Sequence, residues 1–101
     1  MANGTMDQDD LQKNYDDLIN AVFEATYDDL IVAFRKRNRA LKKIRSAETE
    51  HKRKDAEFDL RCAEKKIDFY VDWLRAVLPQ WRDLDANKII DRAEEVARET
   101  D

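Results

Sequence analysis

Among 101 residues there is one glycine, one proline, one cysteine and one histidine, and each shortage excludes something. Sheet architectures need glycine and proline at their tight turns, so a turn-rich β fold is nearly excluded. A lone Cys62 can close no intramolecular disulfide and leaves no thiolate metal cluster, which suits a reducing compartment. With Gly4 as the only glycine, neither a Gly-rich phosphate loop nor a nucleophile elbow can form. His51 stands beside Lys52 in the most polar stretch and reads as an exposed histidine rather than a general base. Long apolar runs are missing too. The polar opening MANGTMDQDD leads into no signal-peptide core, and no segment has the length and hydropathy of a membrane span. A cytoplasmic protein with no membrane association is expected.

What the chain does have is charge and helical periodicity. Charged residues make up 42 % of it, hydrophobic residues 43 % and aromatics 9 %, which is too apolar for wholesale disorder. The length allows one domain with a modest core. The expected fold class is all-α: a helical hairpin with flanking helices, forming a three- to four-helix bundle. Residues 1–6 are expected to be disordered and residues 7–101 to form one helical domain with a basic polar tip around 45–57.

The net charge of −4 hides three blocks. Residues 1–34 carry eight acids and one base (net −7), residues 35–54 ten bases and two acids (net +8), and residues 55–101 thirteen acids and eight bases (net −5). Clustered Arg and Lys can neutralise phosphates or meet an acidic partner. They can equally form a solvated helix face neutralised by the acidic blocks on either side, and the supply of carboxylates favours that second reading. No base-reading motif accompanies the cluster.

A first helix is expected to start at Asp7 as cap, with Met6 and Leu11 as a hydrophobic staple. Leu11, Tyr15, Leu18, Ile19, Val22 and Phe23 follow at helical spacing. The string YDDLI occurs at 15–19 and again at 27–31. Twelve residues at about 100° each turn the second copy by roughly 120°, so one straight helix cannot aim both copies at one partner. Either the chain breaks near 24–26 with Thr26 as a new cap, or a continuous helix touches different neighbours along its length. The absence of Gly or Pro between Gly4 and Pro79 favours continuity. Between Ile44 and Phe58 only Ala47 and Ala56 are apolar. That stretch reads as the hairpin tip, turning at Ser46 or Thr49.

The next helix shows the fullest pattern. Leu60, Ala63, Ile67, Tyr70, Val71, Leu74, Val77 and Leu78 form one face, expected to be core. Phe58, Cys62, Phe69 and Trp73 form an offset stripe, either a second buried side facing another helix or an exposed surface for a partner or a second copy. Cys62 reads as a packing residue. Pro79 should stop this helix, with Trp81 folding back on the bundle. A last helix should start from Asp85 as N-cap, with Leu84 and Ile89 as a staple, and bury Ile89, Ile90, Ala93, Val96 and Ala97.

No catalytic or cofactor-binding residues emerge. Asp16/Asp17 and Asp28/Asp29 are adjacent rather than a helical turn apart, no EF-hand glycine follows them, and the i, i+4 pair Asp68 and Asp72 has no histidine partner, so no metal site is expected.

Three patches resemble a group of small helical proteins from phages and prophages of Gram-positive bacteria. Tyr15-x-x-Leu18-x-Asn20-Ala21-Val22 is similar to that group's opening Y-x-x-L-x-N-A-[IV], and Arg39-Ala40-Leu41-Lys42-Lys43-Ile44 to its basic R-A-L-[RK]-[RK]-L stretch. Asp83-Leu84-Asp85 with Ile89-Ile90 resembles a D-[LV]-D-G-x-x-[LI]-I terminus. Ala86 departs from the group's glycine, and about three extra helical turns separate the first two patches. The resemblance implies a mobile-element origin, an all-α fold and no catalytic residues to carry over. Proteins of that origin and size commonly inhibit host defence stoichiometrically, as anti-CRISPR proteins and sponges for signalling nucleotides do.

The expected function is therefore non-enzymatic binding to a host protein in a bacterial cell, with a nucleic-acid-handling defence enzyme as one such partner. The candidate partner-binding residues are Arg35, Arg39, Lys42, Lys43, Lys52 and Arg53, with the aromatic stripe Phe58, Phe69 and Trp73. Nucleic-acid or nucleotide binding through 35–54 is the alternative, and self-assembly into a homo-oligomer a third.

Overall fold

The computed structural model describes residues 8–99 and is all-helical: α1 spans Gln8–Ser46, α2 Glu50–Arg82 and α3 Ala86–Glu99. The expected start at Asp7, the Met6 staple and the disordered residues 1–6 lie outside the described residues. Along α1 the backbone is continuous, which settles the choice left open at 24–26. Thr26 caps nothing there. Its Oγ1 donates 2.7 Å back to the Val22 carbonyl inside the helix, the usual compromise of a mid-helix threonine.

The hairpin turns where the apolar residues run out. The Ser46 hydroxyl donates to the Lys42 carbonyl (3.0 Å) in the last turn of α1. Thr49, with extended backbone, caps α2 by accepting the Lys52 amide proton at 3.2 Å. Glu50 adds a carboxylate to that positive helix end. The two long helices run antiparallel, with the Trp81 ring near the end of α2 lying 6.3 Å from that of Phe23 in α1.

Small residues let α1 and α2 approach on the tip side. Ala33 and Ala40 on α1 are buried, Ala47 just past its end is half-buried at the same seven-residue spacing, and Ala56 and Ala63 are buried seven residues apart on α2. Ala40 and Ala63 line one cleft together, and Ala47 and Ala56 the next. A seven-residue repeat keeps one line of side chains facing the neighbouring helix. Here that line contributes methyl groups, so the seam is held by close approach rather than by bulk.

Bulk lies toward the other end. Leu30, Leu74 and Leu78 are fully buried and pack with Ile31, Phe34, Ala86, Ile90, Ala93 and Ala97. Each fully buried leucine contributes on the order of 2 kcal/mol of apolar transfer. Ile67, Tyr70, Val71, Trp73 and Trp81 close the margin of this core. α3 enters through Asp85, whose Oδ1 accepts the Asn87 amide proton at 3.0 Å, so the N-cap stands where expected, although Leu84 stays exposed. Arg37 of α1 meets Glu94 at 3.7 Å, and Arg98 reaches the groove of Asn38, Leu41 and Lys42. α3 therefore runs in the same direction as α1 and makes an up-down-up bundle.

Two expectations are corrected. Pro79 does not stop α2, which continues to Arg82. Proline loses an amide donor and crowds the preceding turn at about 3 kcal/mol. Leu78 and Trp81, seated on the core either side of it, offset that cost. The helix ends instead at Asp83, whose φ of 51° and ψ of 39° put it in the left-handed region. Cys62 is exposed rather than packed, because its stripe neighbours Phe58 and Phe69 face outward as well.

The YDDLI copies part as the rotation requires. Leu30 and Ile31 of the second are core, whereas Tyr15 and Leu18 of the first are exposed and Ile19 is half-buried. α1 is about 58 Å long at 1.5 Å per residue and outruns its partners in an elongated molecule of 72 × 27 × 22 Å. Leu11, Tyr15, Leu18 and Val22 remain uncovered on its first turns. Side-chain bonds from Gln12 to Asp16 (3.1 Å) and Asn20 to Glu24 (3.4 Å) support the helix there. Among the described residues no helix is long and apolar enough to cross a membrane.

Candidate functional site

Three lysines that enter no ion pair among the described residues line a cleft of about 340 Å³ between α1 and α2, beside the alanine seam. Lys36, Arg39 and Lys43 come from α1 at spacings of three and four, so they share one side of the helix. Lys66 faces them from α2, Ala40, Ala63 and Cys62 complete the lining, and Asp59 supplies its single carboxylate. A second cleft of about 510 Å³ shares Lys43 and Asp59 and continues to the tip, adding Lys52, Asp55 and Glu48.

The internal neutralisation that the three charge blocks suggest is only partial. Within the described residues the basic block forms ion pairs from Arg37 to Glu94 (3.7 Å) and from Arg53 to Glu50 (2.7 Å) and Glu57 (3.9 Å), and Arg35 and Arg39 are partnered as well. Lys36, Lys43 and Lys66 enter none. The reason is the continuity of α1. Asp29, the last acid before the basic run, precedes Lys36 by seven residues, about 10 Å along the axis, and the other acids of its block are farther away. A straight helix cannot fold them back, and a screening length of about 8 Å weakens what reaches the lysines through solvent.

Arg37 was not among the candidates and is the most constrained cation. Its guanidinium lies 4.9 Å from the centre of the Phe34 ring, and its buried Nε has no hydrogen-bond partner. It joins α1 to α3 and belongs to the packing. His51 is exposed, with its Nε2 3.5 Å from Asp55 Oδ2. Such exposed pairs contribute about 0–1 kcal/mol.

The nine candidate residues divide among several surfaces. Arg39 and Lys43 meet in the first cleft, and Lys52 lies in its extension. Lys42 faces the α3 side near Arg98. Arg35 is half-buried, and Arg53 is held by its two glutamates. Phe58 and Phe69 are 58 % and 66 % exposed. The Arg61 guanidinium stands 5.9 Å from the Phe58 ring centre, and the Phe69 ring meets that of Tyr70 edge-on at 5.8 Å. Trp73 leaves the stripe and packs half-buried on the core.

Sequence reasoning passed over Lys66 and the site-forming role of Lys36. The signal that points to them is the alanine spacing at 33, 40, 47 and at 56, 63, which sets the register that brings 36–43 opposite 59–66. No family model, curated protein or solved structure matches the chain.

Proposed function

We propose that this is a non-enzymatic binding protein that acts stoichiometrically on a protein partner, using the outward face of α2. The observation that carries the reading is the exposure of Phe58 and Phe69 on a helix whose opposite side is seated on α1. Phenylalanines in water leave on the order of 2 kcal/mol each of burial unused, and exposed aromatics mark interaction surfaces more often than bare monomer surface. Arg61, beside Phe58, would add a cation at the rim of such a contact, where charges set orientation and encounter rate. The absence of a nucleophile–base pair in the sequence supports a non-enzymatic role. If the chain shares the origin of the phage proteins it resembles, its partner would be a protein of a bacterial host, with a nucleic-acid-handling defence enzyme as the class that origin implies.

The test is capture from bacterial lysate with the wild-type chain and with a Phe58→Ala/Phe69→Ala variant, half of each sample treated with nuclease. A protein retained by the wild type in near-equal amounts, insensitive to nuclease and lost with the variant, supports the reading. The same protein held equally by both chains removes the aromatic face from it. Dimerisation of the purified chain that depends on concentration and on these phenylalanines would replace the partner by a second copy.

A further inference from the structure

We propose that the cleft between α1 and α2 is a binding site for a chain of phosphates. It gathers Lys36, Arg39, Lys43 and Lys66 around one carboxylate, Asp59, and its three lysines have no ion-pair partner within the described residues. Like charges held side by side from two helices repel one another, so the fold carries a positive field that it does not itself discharge. From Leu30 to its end at Ser46 α1 contains no acid. The acids of its first half are held at a distance by the helix itself.

The shape fits a chain better than a single ion. Lys36 to Lys43 covers about 10 Å along the axis, and beyond Lys43 the next cleft sets Glu48, Asp55 and Asp59 against Lys52, so the cationic track is bounded at the tip end. The buried floor residues Ala40 and Ala63 put no side chain in the way of a close approach. Lysine binds phosphate as a point charge without the planar fork of arginine. Binding should therefore follow the charged backbone and be indifferent to bases. The cleft adjoins the Phe58/Phe69 face at Cys62, but neither phenylalanine lines it and no basic residue of the cleft belongs to that face, so either assignment can fail without the other.

The test uses the whole chain and three probes: a fluorescent 20-mer of thymidine, inorganic tripolyphosphate and polyglutamate. Four phosphate contacts on a single strand give a salt slope of about −2.8, so affinity for the 20-mer should fall roughly 50-fold between 50 and 200 mM salt. Lys43→Glu with Lys66→Glu should weaken it at least tenfold, while Lys88→Glu on α3 should leave it unchanged. Cys62, in the lining of the same cleft, is a built-in reporter. Saturating 20-mer should slow its alkylation by N-ethylmaleimide, and the double variant should lose that protection. Competition by tripolyphosphate would show that phosphates suffice, and its failure would assign the site to a nucleic-acid backbone; both keep the proposal. No binding, equal binding to polyglutamate, or affinity unaffected by the double substitution overturns it.

Discussion

Ala33→Leu is the most direct test of how the two long helices meet. Ala33 is 2 % exposed and stands on the same line of α1 as Ala40, whereas its neighbour Val32 is 42 % exposed. Leucine at 33 has no cleft to enter, since Ala33 lines none of the cavities beside the seam. It must push α1 away from α2 or take a strained rotamer. Overpacking of this kind costs about 1–3 kcal/mol. For a domain of this size each kcal/mol lowers the melting temperature by about 4–8 °C, so a fall of at least about 4 °C is expected. Val32→Leu places the same side chain one residue away in solvent and should change stability by less than about 0.5 kcal/mol. Circular dichroism at 222 nm, followed against temperature and urea, reads both variants. Separation at the seam would also move Lys36 and Lys43 away from Lys66, so Ala33→Leu should weaken 20-mer binding although it touches no phosphate contact. A variant as stable as the wild type would refute close approach at the alanines, and equal loss in both variants would refute the assignment of faces.

Other substitutions examine single features. Thr49→Ala removes the acceptor for the Lys52 amide and should cost about 1 kcal/mol, read from the urea midpoint. Asp83→Gly relieves a non-glycine residue at φ 51° and should raise the melting temperature, by up to about 1 kcal/mol of stability; a drop would mean that the Asp83 side chain contributes more than its backbone costs. Arg37→Met keeps an unbranched chain against Phe34 while removing the unpartnered Nε. Because isolated charge pairs with Glu94-like exposure contribute little and buried unpaired groups are costly, stability should stay level or rise, and a loss beyond about 2 kcal/mol would show that the Glu94 pair holds α3 in place.

Much of this molecule follows from local rules that a linear chain already obeys. The shortage of glycine and proline, the seven-residue recurrence of Leu60, Ile67 and Leu74, the apolar gap after Ile44, and Thr49 and Asp85 as caps yield helices, a hairpin turn and a third helix, because each depends on residues a few positions apart. The rotation between the YDDLI copies likewise foretold that they would meet different surroundings. What the pattern could not tell was which surroundings. Leu11, Tyr15, Leu18 and Val22 have the same spacing as core residues and are exposed, since burial depends on where α2 ends. Pro79 satisfies every local criterion for a stop and is overridden by the anchoring of Leu78 and Trp81. The charge blocks suggested self-neutralisation, but a continuous α1 keeps the opposite charges apart. The cleft exists because alanines on two distant segments fall into register and set Lys66 across from Lys36 and Lys43. Periodicity reports which side of a helix is apolar; only packing in three dimensions says whether another helix is there to cover it.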